Sequence, residues 1–166
     1  MTLQEQKIIE MMSEFAKKLP KFPDGRIDYT NSDTSLVLTV FIKYKDKILI
    51  LKRSNKVGIY QGKWSTVTGY LDEPKPLIKK IMEEIQEEIG IKKDNILSYS
   101  LGDIFKFTDT KSKKTWIVHP AKVELKNNPD IKLDWEHTEC KWIKPEDLRK
   151  FDTVPNLNLS FKKGMA

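Results

Sequence analysis

Apolar residues recur every three or four positions near the start of the chain, at Ile8, Ile9, Met12, Phe15, Ala16 and Leu19. That spacing gathers them on one side of an α-helix, so the pattern predicts an amphipathic helix over 3–19, ended by Pro20. KFPDGRID is rich in turn formers and reads as part of a connection over 20–33. The texture then changes. SLVLTVFIKY (35–44) and KILILKR (47–53) are dense in aliphatic residues and are separated by a polar Lys-Asp pair, which predicts a hairpin. SNKVGIYQGK reads as a loop, and WSTVTGY as one short strand ending at Gly69.

Helical periodicity returns over 76–90. Pro76 suits a first helical position, where its missing N–H costs nothing, and Gly90 suits the C-terminal stop. Lys75 precedes a proline and is pushed out of helical geometry. Further strands are expected at 99–107 and 115–125, divided by the turn TDTKSKK, and at 137–143. PEDLRKF reads as a short helix, and the tail from 154 to 163 as a last one. Strands flanked by helices predict an α/β sandwich around a mixed sheet. With no repeat, low-complexity segment or separating linker, the expectation is a single domain over 1–166 with its core at 34–150.

Composition narrows the field. A chain of 166 residues with 39% hydrophobic and 33% charged residues has the material for one substantial core. No apolar run approaches the roughly 18 residues that a membrane span needs. The first residues, MTLQEQKIIEMMSEF, carry charges throughout and no signal-peptide core, so a cytoplasmic location is expected. Cys140 is the only cysteine, which excludes an internal disulfide and agrees with a reducing compartment. Thirty basic residues against 24 acidic ones give a net charge of +6, which favours anionic ligands. The basic residues are dispersed rather than gathered into an arm, so a small anionic molecule is a better expectation than nucleic acid. The N-terminal helix has two places to pack, its own domain or a second copy, and a homodimer is the second of these.

The helix over 76–90 carries the chemistry. At about 100° per residue, Ile78, Ile81, Met82, Ile85 and Ile89 share one stripe and read as core. Glu84, Glu87 and Glu88 lie together on the neighbouring stripe, with Glu83 at its edge. One reading is a solvated surface, with Lys79 paired to Glu83, and Lys80 to Glu84 and Glu87. The other is a site for a hard cation, which takes carboxylate, water and phosphate oxygens.

The wider window GYLDEPKPLIKKIMEEIQEEIGI, residues 69–91, resembles the signature of the Nudix hydrolases, G-x5-E-x7-R-E-U-x-E-E-x-G-U, where U is a bulky aliphatic residue. Gly69 matches its first glycine, and Glu84, Ile85, Glu87, Glu88, Gly90 and Ile91 match its end without a gap. The ILILKR hairpin and GKW before the window, and PEDL after it, agree as well, so the likeness covers roughly 34–150. Lys75 and Glu83 depart from the signature, which has glutamate and arginine there. The two departures have opposite sign, which suggests an ion pair of exchanged polarity if the loop folds back onto the helix.

The resemblance implies a Nudix-type α/β/α sandwich and hydrolysis of a pyrophosphate bond in a nucleoside diphosphate linked to a further group, with Mg2+ as cofactor and Mn2+ as a substitute. Carried over by position, Glu84 and Glu88 are metal ligands, Glu87 is a ligand or holds the water, and the Thr68 carbonyl is a backbone ligand. Gly69 lets the chain approach closely there. Glu136 and Glu139 in LDWEHTECKW are the candidates for a general base outside the window, with Glu136 the better placed, and His137 beside them reads as structural. Arg53 and Lys63 are candidate phosphate contacts. Tyr60, Phe105, Trp116 and Trp135 are aromatic side chains able to stack on a base, though each is also a candidate for the core. A nucleotide- or RNA-binding module with little turnover is the alternative. An isomerase of the same fold would need a cysteine in the site, and Cys140 lies downstream of the window.

Overall fold

The computed structural model describes residues 1–165. Its elements are α1 (Leu3–Lys18), β1 (Thr34–Tyr44), β2 (Lys47–Arg53), β3 (Trp64–Ser65), β4 (Val67–Tyr70), α2 (Leu77–Ile89), β5 (Ile96–Leu101), β6 (Phe105–Asp109), β7 (Lys114–Leu125), β8 (His137–Ile143) and α3 (Leu157–Met165). Short 3-10 turns occupy Lys93–Asn95 and Pro145–Lys150.

The strands form one mixed sheet. β1 pairs in parallel with β7 and antiparallel with β2 and β4, β8 extends the sheet beyond β2, and β5 and β6 both pair with β7. Side-chain alternation assigns the two faces. Leu49 and Leu51 of β2 join one buried cluster while Ile48 and Ile50 join another. The first cluster contains Ile8 and Met12 of α1 with Leu77, Ile81, Ile85 and Ile89 of α2. The second contains Leu148 and Leu157 against Phe41 and Trp64. The sheet is therefore covered on both faces, as an α/β sandwich requires. The amphipathic N-terminal helix packs on its own domain, opened by a capping box between Thr2 and Glu5.

Several elements differ from expectation. The segment 64–70 is two strands rather than one, because Trp64–Ser65 pairs with β2 while Val67–Tyr70 pairs with β1. The segment 99–107 also divides, and both pieces pair with β7. Pro76 is the N-cap, with ψ 134°, and helix begins one residue later. Gly90 closes α2 in the left-handed region, φ 72°, as expected, and its N–H donates to the Gln86 carbonyl. The buried stripe of α2 is rotated from the sequence reading. Leu77, Lys80, Ile81, Ile85, Glu88 and Ile89 are buried, while Ile78 and Met82 are half-buried. That rotation turns Glu88 inward and sets the chemistry of the site.

Candidate active site

Glu88 is driven inside by its position on α2. The helix buries Ile81, Ile85 and Ile89 against the sheet, and Glu88 follows the same side, 1% exposed. The Thr68 N–H donates to its Oε2 at 3.2 Å. Its Oε1 has no hydrogen-bond partner among the described residues, and His137 Nε2 stands 3.6 Å from it. Burial pushes the Glu88 carboxyl well above the ordinary carboxylate value, and the charges of Glu136, Glu84 and Asp134 push the same way.

Glu84 lies one turn earlier, over β4. Its carboxyl occupies the space where Gly69 lacks a side chain: a Cβ there would meet the Glu84 Cδ at 2.5 Å. Gly69 sits within β4, paired with Leu38, so its service is a bare flank rather than a turn. Burial raises the Glu84 carboxyl, opposed by Lys80, whose Nζ stands 3.0 Å away. Lys80 also approaches Asp72 at 3.6 Å and is held charged by these two acids against its own burial. Glu87 lines the cavity beside them with an exposed side chain.

Glu136 reaches the cluster from the segment between β7 and β8. The Asp134 N–H donates to the Glu88 carbonyl at 3.2 Å, and the Ser54 N–H donates to the Glu136 carbonyl at 2.7 Å, which ties that segment across the site. Burial, then the charges of Asp134 and Glu84, push the Glu136 carboxyl up to about 7, with Arg53 pulling the other way. His137 is held below its ordinary value by burial, and its Nδ1 lies 3.2 Å from Asp134. Glu139 is exposed, 3.7 Å from Lys52, and is not brought to the cavity.

Glu84, Glu87, Glu136, Lys80 and Asp72 border a cavity of about 340 Å3, with Glu88 buried and not on its walls; Tyr60, Tyr70, Phe107 and Trp116 are among the other lining residues. Among the aromatic candidates, Phe105 and Trp135 are not on its walls, while Tyr70 and Phe107 are there without having been singled out. Tyr60 donates its hydroxyl to Asp109 at 2.7 Å, which ties the 54–63 loop to the end of β6. Arg53 lines the cavity, with Nε and Nη2 both donating to the Ile59 carbonyl. Lys63 does not reach the cavity walls. It pairs with Asp152 at 2.7 Å. Cys140 is not on the walls either.

The loop before α2 does fold back. Lys75 Nζ stands 2.6 Å from Glu83 and 2.7 Å from Glu73, so Glu83 pairs with Lys75 rather than Lys79. These contacts offset the cost of a cation at a helix N-terminus.

Among the described residues no group of three His, Cys, Asp or Glu side chains is arranged to hold a metal ion. Lys80 engages Glu84, and the Thr68 N–H engages Glu88. The donor set nevertheless suits a hard cation. A buried carboxylate oxygen without a partner stands among carboxylates that raise one another's proton affinity, and an oxygen-seeking divalent ion relieves that crowding.

Residues 34–162 match the family described as the NUDIX domain. The chain belongs to the Nudix hydrolase family. It is 23% identical over 120 residues to "Nucleoside triphosphatase NudI" of Escherichia coli O81 (strain ED1a), covering 69% of this chain and 82% of that protein. It shares its fold with a NUDIX hydrolase from Nitrosomonas europaea, at TM-score 0.63 and 19% identity over 78% of this chain and 87% of that one. It shares it also with a C. elegans Ap4A hydrolase binary complex, at TM-score 0.62 and 20% identity over 78% of this chain and 93% of that one. No helix among the described residues is long and apolar enough to cross a membrane.

Two outcomes follow from this geometry. Reversing both charges, Lys75→Glu with Glu83→Arg, should cost less stability in urea unfolding than the sum of the single changes, by about 0.5–1 kcal/mol; simple additivity would contradict the pair. In chelator-treated protein, Glu136 binds its proton more tightly folded than unfolded. Its contribution is therefore favourable below the ordinary value of 4.5 and is lost as pH rises through about 7. The stability of Glu136→Gln relative to the parent should rise across that window, and a constant difference would contradict the assignment.

Proposed function

We propose that the protein is a Mg2+-dependent pyrophosphohydrolase acting on a nucleoside diphosphate joined to a further group, with Mn2+ able to substitute. The observation that carries this reading is the buried Glu88, whose free Oε1 is crowded by Glu84 and Glu136 beside the bare flank of Gly69.

In this reading Glu84, Glu88 and the Thr68 carbonyl hold the metal, with Glu87 as a further ligand or a holder of water. The bound cation supplies charge neutralisation for the phosphoryl oxygens and a more acidic water. Glu136 accepts the proton of the attacking water. Its carboxyl, pushed up to about 7, is close to the proton affinity that suits a base at neutral pH. Asp134 orients His137, which backs Glu88 from the interior. Arg53 borders the cavity and offers its charge to a phosphate, while its Nε and Nη2 fix the 54–63 loop. Tyr70 and Trp116, with ring centres 6.4 Å apart, offer aromatic faces for a base. The relative described as a nucleoside triphosphatase is consistent with a nucleotide substrate. We take the chain to work as a single domain over 1–166, in the cytoplasm.

One observation favours a second reading, a nucleotide-binding module with little turnover: Lys80 lies against Glu84 as a cation of the chain's own. Release of phosphate or pyrophosphate from a panel of nucleoside triphosphates and nucleoside diphosphate sugars, titrated with Mg2+, separates the two. The hydrolase reading expects turnover that requires the metal, lowered about 10²- to 10⁴-fold by Glu136→Gln. Ligand binding without metal-dependent turnover on any compound would favour the binding module.

A further inference from the structure

The matched domain begins at residue 34, yet one wall of the cavity comes from before it. Residues 21–27 form a tight hairpin, with Lys21 bridged to Ile27, the Phe22 N–H donating to the Arg26 carbonyl at 2.8 Å, and Gly25 at φ 93°. That φ favours glycine at the tip. The hairpin is fastened to the segment leading into α2. Ile27 is buried in the core, its N–H donates to the Asp72 carbonyl at 2.8 Å, and the Tyr29 hydroxyl donates to the Leu71 carbonyl at 2.7 Å.

Arg26 stands on this hairpin and lines the cavity with Asp72, Lys80, Glu84 and Glu87. Its orientation is set from behind. Nε donates to Asp24 Oδ2 at 2.8 Å, the backbone N–H donates to Asp24 Oδ1 at 3.1 Å, and the guanidinium lies 5.4 Å from the centre of the Phe22 ring. The terminal amino groups make no hydrogen bond among the described residues. Nη1 is 3.7 Å from Asp72, beyond hydrogen-bond range, and the side chain is 44% exposed. Arg26 is paired through Nε with Asp24, and the other cavity cations are engaged in contacts of their own. Lys80 is buried between Asp72 and Glu84, and Arg53 donates through two nitrogens to Ile59. Arg26 is thus an arginine already ordered yet with its fork unspent. That condition lets it bind an oxyanion without a large further loss of side-chain freedom.

We propose that Arg26 is a substrate-contacting, specificity-determining residue that takes the outermost phosphate of a nucleoside triphosphate. The proposal rests on the pyrophosphohydrolase reading of the cavity and deepens it. The terminal phosphate is the most highly charged group on such a chain, and a planar guanidinium donates to two of its oxygens at once. A nucleoside diphosphate sugar presents a neutral group in that place. The segment before the matched domain thereby selects for a substrate that ends in phosphate.

The test compares the parent, Arg26→Ala and Arg26→Lys in steady-state kinetics with Mg2+, on the common nucleoside triphosphates and on the matching nucleoside diphosphate sugars. Arg26→Ala should raise KM for the triphosphates about tenfold with little change in kcat, and leave the sugar conjugates unaffected. Arg26→Lys should recover part of the loss, since the charge remains and the fork does not. Isothermal titration of the parent and Arg26→Ala with inorganic tripolyphosphate and Mg2+ should reproduce the weakening without turnover. Unchanged KM on triphosphates, an equal rise on both substrate classes, or a parent that turns over only sugar conjugates would overturn the role of Arg26 and leave the hydrolase reading standing. A parent that turns over nothing with any divalent metal would remove both.

Discussion

The site depends on like charges forced together. Carboxylates at i and i+4 on a free helix repel and spread into water. Here α2 has no such freedom, because Ile81, Ile85 and Ile89 are committed to the core and carry Glu88 into the interior with them. β4 offers no Cβ at Gly69 to hold Glu84 away, and the tie between Asp134 and the end of α2 brings Glu136 in from the other side. Each carboxyl then raises the proton affinity of its neighbours. The core provides the stability that this crowding consumes.

Around that cluster the chain manages charge in graded fashion. Lys80, buried between Asp72 and Glu84, offsets part of the repulsion at close range. Lys75 and Glu83, reversed in sign relative to the family signature, brace the loop against the outer side of α2 without entering the cavity. Arg26, paired with Asp24, and Arg53 are on the cavity walls. The net charge of +6 belongs to the same account only in a general way, since most lysines are dispersed over the surface.

How much of this was legible in the sequence depended on the range of the interaction involved. The period of α2, its stop at Gly90 and the spacing from Gly69 to Glu84 and Glu88 are local, and the structure keeps them. The rotation of the buried stripe toward Leu77 and Lys80, away from Ile78 and Met82, is decided by which face the sheet accepts, and periodicity alone cannot resolve a shift of that size. The splitting of 64–70 reflects two different pairing partners far apart in sequence. Nothing local to Lys63 shows its partner Asp152, 89 positions later. Asp72, Tyr70 and Phe107 carry no spacing signal, and Arg26 lies in a stretch that reads as a connection. Asp24-Gly25, between Pro23 and Arg26, lies in that turn-rich stretch, and the attachment of the stretch to Asp72 is tertiary.

The central claim is that the crowded carboxylates are a cation site built around Glu88. Its most direct test is equilibrium binding of Mn2+ to the purified protein, followed by the loss of the free-ion electron paramagnetic resonance signal, for the parent and for Glu88→Gln with circular dichroism confirming the fold of each. Saturable binding in the parent, weakened about tenfold or more in Glu88→Gln, is the predicted result. Equal binding by the two proteins, or no saturable binding by the folded parent with nucleotide present, would contradict it.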